Sequence, residues 1–215
     1  MIITHHFLLL NKRLIKMNNF PLYKIDIDLT DEETGVYTVS LVEFPAMETN
    51  FLKFSNESPI ELKFNDEKHI ITGCVIRCGF PVYRNNREYG EHYVIFEKDT
   101  VMKIVEKFSK YGFNNFVNIE HNENNYASNI TMLESYIIDK ERGICPHEFE
   151  SIEDGSWVVS YKVNDLNLWN KIKNGEVLGF SLEGFFRYVN KLEMEKIPQE
   201  STISIDKLIE ELISE

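Results

Sequence analysis

The chain has 215 residues, of which 43% are hydrophobic and 13% aromatic. That is enough for one packed domain plus a tail, and too apolar for a disordered chain. The formal net charge is −12, from 35 acidic and 23 basic side chains, which excludes nucleic acid as the main partner because phosphate binding needs clustered Lys and Arg.

Residues 1–17 have their longest apolar run at positions 7–10, with the positive charges after it and no small-residue cleavage site. This is not a signal-peptide pattern. Residues 1–19 read as an N-terminal arm, with Met17 as an alternative start of translation. No stretch approaches the roughly 20 apolar residues that cross a bilayer, so no membrane partner is expected.

Strict alternation over residues 24–29 predicts a half-buried strand. A turn follows at 30–35, then a second strand at 36–42, stopped by Phe44-Pro45. Residues 60–64 and 69–77 read as a hairpin turning at Asn65, Asp66 and Glu67. Gly79-Phe80-Pro81 breaks that run, and residues 93–96 form another strand. Asp99 or Thr100 caps a helix reaching about Tyr111, with Val101, Ile104, Val105 and Phe108 on its apolar face and Gly112 at its stop.

Strands are expected at 116–121, 130–138 and 156–163. A short helix at 165–174 carries Leu166, Trp169 and Ile172 on one side, and a strand at 177–189 completes a domain over residues 20–189. Residues 190–203 are polar and read as a linker. Ser204 caps an amphipathic helix over 204–215, which packs on its own domain or docks on a partner. The sum is an α+β fold: a small, mostly antiparallel β-barrel or curved sheet flanked by helices.

Three cysteines, Cys74, Cys78 and Cys145, cannot all pair, and the sparse, odd count points to a reducing compartment. Cys74 and Cys78 lie in a strand-like run, but no second Cys/His pair has zinc-site spacing. Buried or free thiols are the expectation.

The chemistry gathers on two segments. Val117-Asn118-Ile119-Glu120-His121 is a strand ending in histidine. The segment Val177 to Phe186 places Ser181 between bulky residues. A serine hydroxyl needs an adjacent base at neutral pH, most often an imidazole. Alternation puts Leu178, Phe180, Leu182, Phe186 and Tyr188 on a core face, and Gly179, Ser181, Glu183 and Arg187 on the other. That second face suits a cleft floor, and an ordinary solvent-facing strand would look the same. Likewise, His121 suits a general base or a satisfied core histidine. Glu134 sits in an otherwise apolar strand, where a carboxylate needs a partner such as an imidazolium. Glu183 is the competing acid, and His147, in a loop, is a third candidate for the same role.

Several short stretches, in order, carry a family resemblance over residues 36 to about 187. They are Val39-Ser-Leu-Val-Glu-Phe-Pro-Ala46, Thr72-Gly73, Pro81-Val-Tyr-Arg84, Tyr93-Val-Ile-Phe96, Asn118-Ile-Glu-His121 and Leu133-Glu-Ser-Tyr-Ile137. Gly155-Ser-Trp157, Trp169-Asn-Lys-Ile-Lys-Asn-Gly175 and Gly179-Phe-Ser-Leu-Glu-Gly-Phe185 complete the series. The chain resembles the phage serine proteases that mature the prohead, which are grouped with the herpesvirus assemblins.

The resemblance implies a small β-barrel wrapped by helices, with His121 as catalytic histidine and Ser181 as nucleophile. The assemblin branch takes a second histidine, after the serine, as its third member. No histidine follows Ser181 here, which leaves Glu134 as the preferred third residue and Glu183 as the alternative. The implied activity is a serine endopeptidase that processes phage scaffold and major capsid proteins inside the assembling prohead, in the cytoplasm of the infected bacterium. It uses no cofactor and no metal, and leaves room for a homo-oligomer. The rival expectations are a catalytically inactive structural or cargo component of the head, and a host-encoded hydrolase.

Overall fold

The structure, a computed structural model, describes residues 20–43, 45 and 62–192, excepting the side chains of 190–192. The expected arm at 1–19, most of the expected linker and the expected helix at 204–215 lie outside the described residues.

The first two strands are β1 (Leu22–Asp26) and β2 (Gly35–Val42). A hairpin of β3 (Lys63–Asn65) and β4 (Ile70–Ile76) follows, as the turn residues required. A second hairpin, β5 (Val82–Asn86) and β6 (Gly90–Phe96), is one strand longer than expected. The polar stretch Arg84 to Glu88 hid β5, because an edge strand with exposed ends has no strong alternation.

Helix α1 (Lys98–Lys110) buries Val101, Ile104 and Phe108, and Phe108 meets Trp157 edge-on at 5.1 Å. Neither expected cap serves. Thr100 lies inside the helix and donates instead to the Ile25 carbonyl at 3.0 Å, tying α1 to β1. The buried Lys107 ammonium donates to the carbonyls of Asp28, Asp31 and Thr34, which pins the turn feeding β2.

Next come β7 (Val117–Ile119), β8 (Ile130–Ile137) and β9 (Trp157–Val163). Helix α2 (Leu166–Lys173) is capped by Asp165, which accepts from the Asn167 and Leu168 amides at 2.8 and 3.1 Å. It buries Leu168, Trp169 and Ile172, while Leu166, expected on that face, is exposed.

The single strand expected at 177–189 is two: β10 (Gly179–Phe185) and β11 (Arg187–Leu192), the latter running into the expected linker. The ladder with β2 bulges between Glu183 and Gly184. A Cβ on Gly184 would sit 2.3 Å from the Gly35 carbonyl oxygen, so only glycine lets the strands approach there. After the bulge the chain leaves β10's sheet, and β11 pairs with β1.

The strands form three sheets, ordered β11-β1-β6-β5, β10-β2-β7 and β3-β4-β9-β8. The pairings are antiparallel except β1–β6 and β2–β7. The α+β class is therefore as expected. The barrel is not seen: among the described residues no sheet closes on itself, since the break at Phe186 sends β10 and β11 to different sheets. The main buried cluster, containing Val39, Leu41, Phe108, Val117, Trp157, Tyr161 and Phe180, draws residues from all three sheets, and two smaller clusters flank it.

Candidate active site

Strand β2 is the centre of the three-stranded sheet, antiparallel to β10 and parallel to β7. Val39 and Leu41 point into the core with Phe180 and Val117. The residues between them therefore face the other way. Directly across the sheet run Ser181 on β10, Ser40 on β2 and Asn118 on β7, with Thr38 opposite Glu183 one step along. Five polar side chains thus share one face. All are buried except Glu183, whose side chain is still only 13% exposed.

His121 sits just beyond β7, in a turn, and reaches over this face. Its side chain is 44% exposed, so it is not a core histidine. Both Glu120 and His121 have left-handed backbones, with φ of 55° and 54°. Such a conformation is costly for non-glycine residues and is kept where the surroundings over-determine it. Here Glu120 is anchored on both sides. Its amide donates to the Leu41 carbonyl at 3.0 Å, and its carboxylate accepts from the Glu43 amide at 2.6 Å.

The imidazole Nδ1 lies 3.0 Å from Glu183 Oε1 and 3.0 Å from Ser40 Oγ. Ser40 Oγ also donates to Glu183 Oε1 at 3.0 Å, and Asn118 Nδ2 donates to the same oxygen at 2.7 Å. Burial pushes the Glu183 carboxyl up, but the hydrogen bonds from Asn118, His121 and Ser40 outweigh it, and the net direction is down. Glu183 is thereby held as a carboxylate against the imidazole.

The acid beside His121 is therefore Glu183, not the preferred Glu134. Strand β8 is largely exposed, and Glu134 with it. Its carboxylate accepts from Ser160 Oγ at 2.5 Å, so a neighbouring hydroxyl meets its need for a partner. His147 is also elsewhere, paired with Glu150 at 3.1 Å. Arg187, expected on the site face, lies beyond the bulge and binds Asp28 and Asp31. Leu178, expected in the core, is 39% exposed.

Ser181 stands directly opposite Ser40, a cross-strand relation that sets Cβ atoms about 4.5–5.5 Å apart. It is 4% exposed and lines a small cleft with Arg77 and Arg84. Arg77 is neutralised by a two-pronged contact with Glu153 at 2.9 and 2.7 Å. Arg84 donates to the Tyr83 carbonyl at 3.0 Å and has no carboxylate partner among the described residues. His121 and Ser181 are not hydrogen-bonded to each other, and neither His121 Nε2 nor Ser181 Oγ has a hydrogen-bond partner among the described residues.

Cys74 and Cys78 belong to different buried clusters, and no group of three or more His, Cys, Asp or Glu able to hold a metal occurs among the described residues.

The family model described as "Putative phage serine protease XkdF" matches residues 57–190, well over half of the chain. The chain belongs to this family. Its chemistry is that of a serine protease of bacteriophage origin. No curated protein and no solved structure matched the chain. Within this phage protease, Asn118, His121, Ser181 and Glu183 fall inside the matched span and Ser40 falls before it.

Asn118 and Ser40 were not singled out from sequence, although the signal was there. Each is a polar residue between two apolar ones in a strand, as Ser181 is.

Proposed function

We propose that this phage serine protease cleaves peptide bonds with Ser181 as nucleophile, His121 as general base and Glu183 as the acid that orients the imidazole. The observation that carries the reading is the Glu183–His121 contact of 3.0 Å on the polar face that also holds Ser181. A carboxylate at Nδ1 favours the proton there and leaves Nε2 unprotonated to act as base. In the reaction, Ser181 Oγ bonds to the scissile carbonyl carbon and its proton passes to Nε2. Collapse of the tetrahedral species breaks the C–N bond, and the proton goes from Nε2 to the departing amine. Water, deprotonated at Nε2, then attacks the acyl-serine and restores the hydroxyl. Arg84 lines the same cleft as Ser181 and carries the positive charge that a developing oxyanion requires.

Ser40 is the rival hydroxyl, since it touches the imidazole. It is 0% exposed, and it shares Nδ1 with Glu183 instead of taking the opposite nitrogen. Both features suit a residue that positions the acid and not one that attacks a substrate.

The substrates we propose are the scaffold and major capsid proteins of the phage, cut inside the assembling prohead in the infected cell. This finer reading, like the assemblin-type fold and the protease domain over 20–189, is supported by the motif series from Val39 to Phe185. Among the described residues no helix is long and apolar enough to cross a membrane.

The test is an alkyl fluorophosphonate. It should label the protein at Ser181, and Ser181→Ala should abolish both labelling and cleavage of co-expressed scaffold and capsid proteins, with a loss of about 10^3-fold or more. Labelling at Ser40, or undiminished cleavage by the Ala variant, would refute the assignment. A folded wild type that never labels would favour an inactive head component.

A further inference from the structure

We propose that Asn118 and Ser40 are positioning residues: a buried two-donor clamp that keeps Glu183 ionised and so selects the imidazole tautomer in which Nε2 is the base. The inference rests on the Ser181–His121–Glu183 reading above and deepens it.

Among the described residues, three polar side chains converge on one oxygen of Glu183. Asn118 Nδ2 lies 2.7 Å, Ser40 Oγ 3.0 Å and His121 Nδ1 3.0 Å from Oε1. Asn118 and Ser40 are both 0% exposed, and they face each other across the β2–β7 ladder. Their positions are thus set by strand register and not by loops.

The orientation of the Asn118 amide is dictated by its neighbour. Oδ1 turned toward Glu183 would set two acceptors face to face, so Nδ2 must point there. The consequence is visible at the other end of the amide: Asn118 Oδ1 is buried with no hydrogen-bond partner among the described residues. A buried acceptor without a partner costs stability. An asparagine serving the fold alone would be better replaced by leucine, which has a similar volume and leaves no orphan. What the asparagine supplies, and leucine could not, is the donor to Glu183.

The effect of the clamp reaches the base. Two donors aimed at Oε1 favour the charged form of the carboxyl, in line with its lowered pKa. An ionised Glu183 can only accept, so Nδ1 must carry the proton and Nε2 is free to take one from a serine. A protonated Glu183 could donate to Nδ1 instead. The ring proton would then sit on Nε2, and the base would be lost.

The experiment measures the rate of acylation by an alkyl fluorophosphonate against pH for the wild type, Asn118→Leu, Asn118→Asp and Ser40→Ala. Each variant's melting temperature and the ¹⁵N shifts of the His121 ring are recorded alongside. Asn118→Leu should melt close to the wild-type temperature, because removal of the orphan acceptor offsets the loss of the bond to Glu183. It should acylate about 10- to 100-fold more slowly. Its acid-side limb should move to higher pH, and the ring nitrogen shifts should show a larger share of the Nε2–H tautomer. Ser40→Ala should move the same readouts less, since the closer donor, Asn118 Nδ2 at 2.7 Å, remains. Asn118→Asp has the shape of asparagine and replaces the donor with a second carboxyl, so it should move the limb furthest. Should a leucine at this position prevent folding, Asn118→Asp and Ser40→Ala carry the same readouts. Wild-type acylation at Ser181 with unchanged rate, limb and tautomer in the variants would overturn the clamp and leave the triad standing. Absence of acylation in the wild type would overturn both.

Discussion

Glu183→Gln separates the acid that the structure sets beside His121 from the one that the sequence favoured. Glutamine has nearly the same shape, and its Oε1 can still accept from Asn118 and Ser40, so the fold should survive. What is lost is the negative charge facing the imidazole as it becomes imidazolium. At the observed 3.0 Å, a unit-charge pair is worth about 5.5 kcal/mol at an effective dielectric of about 20, and about 1.4 kcal/mol in bulk water. The Glu183 side chain is 13% exposed and the imidazole 44%, so the pair lies between these limits, at about 2–4 kcal/mol. At about 1.36 kcal/mol per tenfold, the expected loss in acylation rate or kcat/KM is about 30- to 900-fold. The assay is the fluorophosphonate acylation rate, with Glu134→Gln measured beside it. Glu134 accepts from Ser160, and both lie on a sheet other than the one that carries Ser181 and Glu183, so its variant should react at the wild-type rate. A Glu183→Gln protein within threefold of wild type, or a Glu134→Gln protein that is severely slowed, would refute the assignment of the acid.

Three further outcomes follow from the same geometry. The folded-state pKa of Glu183 lies below its ordinary value, so its contribution to stability is present above the unfolded-state pKa and is lost as pH falls through the folded one. The stability gap between wild type and Glu183→Gln should therefore narrow as pH drops from about 5 toward 3, read from urea midpoints; parallel curves would contradict this. Gly184→Ala should cost about 1–3 kcal/mol or more by the same measurement, because its Cβ would meet the Gly35 carbonyl oxygen at 2.3 Å. Wild-type stability would mean that the bulge relaxes freely. Burial pushes the Cys74 thiol up to about 12 and the Cys78 thiol up to about 11. A disulfide reagent at pH 8 should thus titrate the partly exposed Cys145 first and the other two only on unfolding. Three thiols reacting together in the native protein would refute it.

Local pattern carried most of the fold. The alternation in β1 and β2, the turn residues between β3 and β4, and the 3.6-residue spacing in α1 and α2 each reflect burial of one face, which a single segment encodes by itself. The same logic already separated Ser181 and Glu183 from Phe180 and Leu182. What alternation cannot encode is which strand lies beside which. The pairing of β2 with β10 and β7 brings Ser40, Asn118 and Glu183 under His121, and that pairing joins segments far apart in the chain. The bulge at Gly184 escaped for a related reason: its cause is the Gly35 carbonyl on another strand, so period-two counting ran on through Phe186 and carried Arg187 to the wrong face.

Glu134 shows how a sound local argument can lead to the wrong partner, and why the face under His121 is the stronger site. Two polar rows across the sheets can be compared. In one, Thr72 Oγ1 meets Ser160 Oγ at 2.9 Å and Ser160 donates to Glu134 at 2.5 Å. Each of those groups has a partner, no imidazole is bonded to them among the described residues, and the row lies on strands with a largely exposed edge. It closes on itself and asks for nothing more. The other row, buried Thr38, Ser40, Asn118 and Ser181 with the half-buried Glu183, lies beneath a histidine with a strained backbone. Among the described residues it leaves Thr38 Oγ1 and Asn118 Oδ1 without partners. Burying polar atoms unpaired lowers stability, and apolar residues of the same volume would avoid that cost. A sheet face built at such expense, with its donors converging on one carboxylate oxygen and that oxygen aimed at an imidazole, fits the proton transfer proposed for it better than a role in packing alone.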